Sequence, residues 1–150
     1  MPVNKRIPLI FGVPQTSFFD GLKVKKAFVA ELRPGLEGIK IVAGELLKRH
    51  IQPVVICDNM LAFCMGRGLV KDVHIFCNAV NKSSSLCRTG SLIAALCAKR
   101  HKIPVYLYPA ANLFPQPVPL HKINGMRVTS SAIKTYVPLF EEVPLTLVRR

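Results

Sequence analysis

The stretch of chain between residues 78 and 91 carries the side chains best suited to hold a ligand. It places an amide, hydroxyl groups, one guanidinium and a small-residue backbone directly before a predicted helix, at Asn78, Ser83, Ser84, Ser85, Arg88, Thr89, Gly90 and Ser91. The unpaired N–H groups and the positive dipole end of a helix start favour phosphate or carboxylate, and a guanidinium adds a bidentate contact. The pattern predicts an anion site at residues 89 to 91. The alternative is that Ser and Thr cap the helix while Arg88 points to water.

Further candidates lie on both sides of the predicted site. Asp58 and Asn59 follow a predicted strand, from which they can reach the same crevice, and Asp58 is equally suited to cap the next helix. Cys77 at a strand end and Cys87 near a helix start occupy places where a thiol pKa falls, which makes them weak catalytic candidates beside a structural role. The four histidines show no metal-binding spacing. We therefore expect neither a metal site nor a cofactor.

The elements that must position these residues alternate as in an α/β fold. Short apolar runs predict strands at 7–11, 23–30, 53–57, 72–77 and 103–109. Helical periodicity and capping residues predict helices at 39–50, 60–68 and 91–102, with 78–90 as a long polar loop. This alternation indicates a Rossmann-like three-layer α/β/α architecture with a mainly parallel sheet. Its central strands should include 53–57, 72–77 and 104–108, and ligands bind at the carboxyl ends of such strands.

The last third of the chain differs from the rest in its proline content and periodicity. Prolines at 109, 115, 117, 119 and 138 interrupt it, and no helical period is visible. Asn124 and Gly125 favour a tight hairpin turn. We expect a single domain over 1–150, with a core at about 24–109 and an irregular, proline-rich part at 110–150. The apolar side chains of that part lack helices to cover them, which predicts a homodimer interface that includes Leu113, Phe114, Val118, Leu139 and Phe140.

Composition narrows the classes of protein to which the chain can belong. It has 150 residues, 50% of them hydrophobic, and a net charge of +13, which fits a folded domain and not a disordered segment. No apolar run approaches the roughly 20 residues of a membrane-spanning helix, and no secretory signal is visible, so we expect a cytoplasmic protein without a membrane partner. The basic residues come in twos and threes without a nucleic-acid-binding motif. Nucleic acid is therefore possible but not favoured, and a phosphorylated small molecule or anion is the expected partner.

Two stretches resemble the signature of a known family. Residues 29–60 read VAELRPGLEGIKIVAGELLKRHIQPVVICDNM, and residues 88–109 read RTGSLIAALCAKRHKIPVYLYP. They resemble the family that contains methylthioribose-1-phosphate isomerase, ribose-1,5-bisphosphate isomerase and the regulatory α, β and δ subunits of translation initiation factor 2B. The residues that carry the resemblance are Glu31, Arg33, Pro34, Gly38, Glu45, Leu46, Asp58, Asn59, Met60, Arg88, Gly90, Ser91, Ile103 and Pro104.

The resemblance implies the C-terminal Rossmann-like domain of that family in a truncated, catalytically degenerate form. The catalytic aspartate of the isomerases corresponds to Asn78 or Cys77. Because an amide cannot act as a general acid or base, Asn78 is only a weak catalytic candidate, as are Cys77 and Cys87. Their catalytic cysteine has no counterpart, since the first cysteine here is Cys57. We therefore expect a non-catalytic domain that binds a sugar phosphate, a nucleotide or an anion with help from Arg33 and Asp58. The alternatives are an aldose–ketose isomerase with altered catalytic residues and a regulatory protein-interaction subunit.

Overall fold

A seven-stranded sheet organises the chain in the computed structural model, which describes residues 5–113, 115–116 and 118–150. Its strands are β1 (Ile7–Phe11), β2 (Lys26–Ala30), β3 (Gln52–Ile56), β4 (Val70–Val80), β5 (Ser84–Arg88), β6 (Val105–Pro109) and β9 (Phe140–Pro144). The five strands β3, β2, β1, β4 and β6 are adjacent in that order and mutually parallel. The predicted parallel arrangement of 53–57, 72–77 and 104–108 is confirmed.

Helices cover both faces of the sheet, as the predicted three-layer fold requires. They are α1 (Thr16–Gly21), α2 (Ala43–Leu47), α3 (Leu61–Gly66) and α4 (Ser91–Arg100), and a π-helical turn, Gly38–Val42, leads directly into α2. On one face, Phe18 of α1 contacts His74 and Phe76 of β4, with ring centroids 5.4 and 4.9 Å apart. α4 begins on the other face, where Gly90 lies against Phe11. The α/β fold class is therefore confirmed.

Strand β4 is longer than the sequence predicts, and two different strands pair with its second edge. Its middle part pairs with β6 as far as Cys77, and from Cys77 to Val80 it pairs with the antiparallel strand β5. The predicted loop at 78–90 is therefore wrong over most of its length, because these residues form a β-hairpin. Their backbone groups bond across the hairpin, which explains how a polar stretch becomes strand.

Two other expectations about the sheet are corrected. Strand β3, predicted to be central, lies at the edge, and Val55 is 41% exposed. The sheet also extends beyond the predicted core at 24–109, because β1 lies near its centre and β9 pairs with β5. Pairing of β9 with β5 draws the C-terminal part of the chain back across the carboxyl end of the sheet.

The irregular C-terminal part contains the predicted hairpin. Strands β7 (Lys122–Ile123) and β8 (Met126–Arg127) pair around Asn124 and Gly125, both of which have positive φ angles. In the described part of the chain, no helix is long and apolar enough to cross a membrane.

Candidate ligand-binding site

A cavity of about 360 Å³ opens at the carboxyl ends of β1, β2, β4 and β6. It lies where β5 and β6 separate from each other beside Cys77 of β4. Open α/β sheets bind their ligands at this edge. Much of its wall is apolar, from Val13, Ile41, Phe76, Leu113, Leu139 and Phe140, and its polar side chains are Glu37, Asn78, Arg88 and Gln116.

The apolar residues of the C-terminal part line this cavity. Leu113, Val118, Leu139 and Phe140 are among its lining residues, and the last three are half-buried. The expectation that these side chains lie uncovered on the surface is therefore wrong for these three, because the segment folds over the carboxyl end of the sheet. Phe114, named with them, lies outside the described residues.

A buried ion pair forms the charged part of the cavity wall. Glu37 Oε1 accepts a hydrogen bond from Arg88 Nη1 at 3.1 Å, and Oε2 accepts one from Nη2 at 3.2 Å. The side chains are only 9% (Arg88) and 14% (Glu37) exposed. Because bidentate pairing fixes the plane of the guanidinium, Arg88 is held rigidly at the wall. A guanidinium has five N–H donors, and the carboxylate uses two of them.

Asp58 holds the loop that carries Glu37 in place by hydrogen bonds. It is not among the residues that line the cavity. Its Oδ1 accepts from the backbone N–H of Leu32 at 2.9 Å, and its Oδ2 accepts from that of Arg33 at 2.7 Å. Burial raises the pKa of Asp58 above its ordinary value, and the two backbone hydrogen bonds oppose that shift. Asn59 lies exposed in the following turn. The structure thus places Asp58 and Asn59 near the predicted crevice but gives Asp58 a positioning role.

The same loop is held against β2 by a close backbone contact. The N–H of Gly38 donates to the carbonyl of Glu31 at 3.2 Å, and a Cβ on Gly38 would overlap the carbonyl oxygen of Ala30. Only glycine allows this approach. Arg33, predicted to help bind the ligand, instead pairs with Glu31 at 3.1 Å. This packing sets the position of Glu37 and, through it, of Arg88.

The N-terminus of α4 is already occupied by a carboxylate of the chain itself. Glu141 Oε1 accepts from the backbone N–H groups of Gly90 at 2.7 Å and Leu92 at 2.9 Å. The N–H of Thr89 donates to the carbonyl of Leu139 at 2.9 Å. The predicted open anion site at residues 89 to 91 is therefore wrong. The positive end of the helix does attract an anion, and that anion is a side chain 51 residues away.

Three of the four serines of the predicted site lie away from the helix start. Ser83 and Ser84 lie at the hairpin turn, where Asn81 Oδ1 accepts their backbone N–H groups at 2.8 and 2.7 Å. Ser85 is buried in β5, and its Oγ donates to the carbonyl of Val143 at 3.3 Å. Ser91 is fully buried at the start of α4. Of the predicted ligand-binding residues, only Asn78 and Arg88 line the cavity.

The comparisons with known proteins decide the family of this fold and site. A family model described as the initiation factor 2 subunit family matches residues 18–148. The chain belongs to that family.

Individual relatives of this family member include enzymes. The chain is 31% identical over 148 residues to a methylthioribose-1-phosphate isomerase of Carboxydothermus hydrogenoformans, covering 89% of this chain and 43% of the relative. It is 28% identical to the enzyme of the same name from Thermotoga maritima, covering 91% of this chain and 44% of that protein. The chain therefore spans less than half the length of these relatives.

Two solved structures share the fold. They are the translation initiation factor eIF-2B subunit delta from A. fulgidus, at 17% identity and a TM-score of 0.77, and a 5-methylthioribose 1-phosphate isomerase from Pyrococcus horikoshii, at 18% identity and a TM-score of 0.77. The aligned regions cover 97% and 95% of this chain, and 50% and 48% of the two structures. The resemblance identified from the sequence is confirmed.

Two of the three weak catalytic candidates of this family member are protonated thiols. Cys77 and Cys87 lie opposite each other in β4 and β5, and both are buried. Burial raises the pKa of Cys77 and raises that of Cys87 to about 11. The expectation of a lowered thiol pKa is wrong, because neither thiol lies in the first turn of α4 and both are desolvated. At neutral pH neither supplies a thiolate.

Two residues of the site, Glu37 and Glu141, are not predicted from the sequence. Glu37 stands inside the ELRPGLEG motif and is one of only eight acidic residues, so its rarity is a signal that points to it. Glu141 offers no such signal, because only the pairing of β9 with β5 brings it to α4.

Proposed function

We propose that this chain binds a small phosphorylated sugar in the cavity at the carboxyl end of the sheet and does not convert it. The observation that carries the proposal is the position of Arg88, whose guanidinium is fixed at the cavity wall by Glu37 in a cavity that Asn78 also lines. The N–H donors that Glu37 leaves suit phosphate oxygens. The carboxylate of Glu37 and the amide of Asn78 suit the hydroxyl groups of a sugar. The apolar wall excludes water from the ring.

The absence of turnover is the second part of the proposal. Asn78 cannot transfer a proton, and the raised pKa values of Cys77 and Cys87 leave both as thiols at neutral pH. The rival function is isomerisation, which the names of the relatives favour. Incubation of pure protein with 5-methylthioribose 1-phosphate, followed by product analysis, distinguishes the two, since any turnover above a buffer control contradicts a purely binding role.

The binding experiment uses Arg88 and Glu37 as opposite perturbations. Calorimetric titration with ribose 1-phosphate should show that Arg88→Ala weakens binding by about 1.5–3 kcal/mol, the value of a charged hydrogen bond. Glu37→Gln should strengthen binding, because the amide oxygen still accepts a hydrogen bond from the guanidinium while the negative charge that opposes phosphate is removed. The control is Arg100→Ala, which removes an exposed arginine at the far end of α4. Equal affinity for ribose without its phosphate, or equal effects of the Arg88 and Arg100 substitutions, would refute the proposal.

Association between copies of the chain is a further proposal. Strand β3 pairs with β2, and no other described strand pairs with its outer edge. Nearby apolar side chains are exposed, with Leu47 at 57% and Val55 at 41%. An uncovered strand edge with apolar neighbours is a common pairing surface. Light scattering that shows only a 16.6 kDa species at micromolar concentration would rule out the homodimer. Placement in the cytoplasm stays a prediction.

A further inference from the structure

The positive charge of the chain collects at the amino end of the sheet, opposite the cavity. The central strands are parallel, so the segments that precede them all lie along one edge. Lys5 and Arg6 lie directly before β1. Lys23 and Lys25 lie before β2, and Lys26 is its first residue. All five side chains are exposed. A backbone hydrogen bond joins the starts of β3 and β2 along this edge, because the N–H of Gln52 donates to the carbonyl of Lys25 at 2.9 Å.

The ends of two helices add charge to the same edge. α3 ends before Arg67, and α4 ends among Lys99, Arg100 and Lys102, all exposed. Lys99, Lys102 and Arg149 line a recess of about 340 Å³ beside the start of β6. We call these ten residues together the basic edge: Lys5, Arg6, Lys23, Lys25, Lys26, Arg67, Lys99, Arg100, Lys102 and Arg149.

Local carboxylates do not neutralise the basic edge. The acidic residues on this side of the molecule are Asp20, Glu45 and Asp72. Asp20 pairs with Arg49, Glu45 with Arg49 and Lys48, and Asp72 with His74 and Lys71, so none of the three pairs with a residue of the basic edge. Helix dipoles favour a cation or two at the end of α4, but they do not account for the five basic residues beside β1 and β2. The charged starts extend from β2 across β1 and β4 to β6, and three spacings of about 4.8 Å make this row of charge about 14 Å wide.

An exposed aromatic ring lies beside this row. Phe63 of α3 is 57% exposed, and the guanidinium of Arg67 lies 5.6 Å from the centre of its ring. The end of α3 in turn lies next to the end of α4, since Gly66 faces the ring of His101. A row of cations with an exposed aromatic ring at its side is the combination that binds single strands, because phosphates contact the cations and a base stacks on the ring.

We propose that the basic edge binds single-stranded nucleic acid. A row of about 14 Å spans several phosphates of one strand. The ring of Phe63 distinguishes this partner from an anionic membrane or an acidic protein, neither of which offers a base to stack. The site lies at the opposite end of the strands from the cavity, so it is independent of sugar-phosphate binding.

Fluorescence anisotropy with a labelled 20-nucleotide single-stranded RNA tests the proposal on the full chain. The test variant carries Lys99→Gln, Arg100→Gln and Lys102→Gln. The control variant carries Lys122→Gln, Arg127→Gln and Lys134→Gln, which remove the same charge from exposed positions away from the edge. All six side chains are exposed, so both variants should fold, and circular dichroism checks this.

The expected result is a selective, salt-dependent loss. Each lost contact to a single strand reduces the slope of log K against log salt by about 0.7, so the test variant should bind about 100-fold more weakly at 0.1 M salt. The control should stay within about threefold. Phe63→Ala should weaken RNA binding about tenfold and leave heparin binding unchanged. Equal losses in the two charge variants, an unaffected Phe63→Ala, or binding to phosphatidylserine vesicles without binding to RNA would overturn the proposal.

Discussion

Replacement of Glu141 by alanine should destabilise the fold and create a new anion site. The carboxylate accepts two part-buried backbone N–H groups at the start of α4, at 2.7 and 2.9 Å. Loss of a helix cap costs about 1 kcal/mol, loss of a charge at the helix dipole about 0.3–1 kcal/mol, and loss of one charged hydrogen bond about 1.5–3 kcal/mol. Because these contributions overlap, we expect a loss of about 2–3 kcal/mol. For 150 residues this lowers Tm by about 4–12 °C.

Urea unfolding followed by circular dichroism measures this loss. Glu142→Ala is the matched control, since Glu142 is the neighbouring, exposed residue of β9. The same titrations with millimolar phosphate should stabilise Glu141→Ala more than the wild type, because the two N–H groups then become an open anion site. The reasoning is refuted if Glu142→Ala is equally destabilising, or if phosphate stabilises the wild type as much as the variant.

Three further predictions concern the loop, the buried acid and the thiols. Gly38→Ala should lower the free energy of unfolding by about 3 kcal/mol or more, because the added Cβ would overlap the backbone of Ala30. A near-ultraviolet circular dichroism spectrum and a urea midpoint like those of the wild type would contradict this. Burial raises the pKa of Asp58, so the folded protein binds that proton more tightly than the unfolded chain, and the stability of the wild type relative to Asp58→Asn should increase as pH falls from 7 to 4 and decrease as it rises. Urea unfolding across that range checks the sign, and a difference independent of pH would refute it. Cys87, buried and with a pKa of about 11, should react with a disulfide reagent at pH 8 well after the exposed Cys57, and mass mapping of the first labelled thiol decides this order.

The main elements can be predicted from the sequence because their signals are local. The apolar runs at 53–57, 72–77 and 104–108 form parallel strands, and the segment 91–102 contains α4. Asn124 and Gly125 form the expected turn. In each case the residues that determine the element lie within it, so short-range periodicity and turn chemistry suffice.

The candidate site could be predicted only in part. Arg88 and Asn78 do line the cavity at the carboxyl end of the sheet, and the family resemblance places them there. The hydroxyls of Ser83, Ser84 and Ser85 suggest a loop, but cross-strand hydrogen bonds make them part of a hairpin. Hydroxyl-rich stretches are compatible with a capping loop and with an edge strand, and only a pairing partner elsewhere in the chain decides between them.

The sequence by itself determined the fold class, the family and the net charge of +13, because these depend on local patterns and on composition. Tertiary structure decided which carboxylate lies beside which donor. Glu37 and Arg88 are 51 residues apart, as are Gly90 and Glu141, and no periodicity links such positions. The same is true of the basic pairs scattered along the chain, because they collect at one edge only once parallel strands bring all their starts to the same end of the sheet.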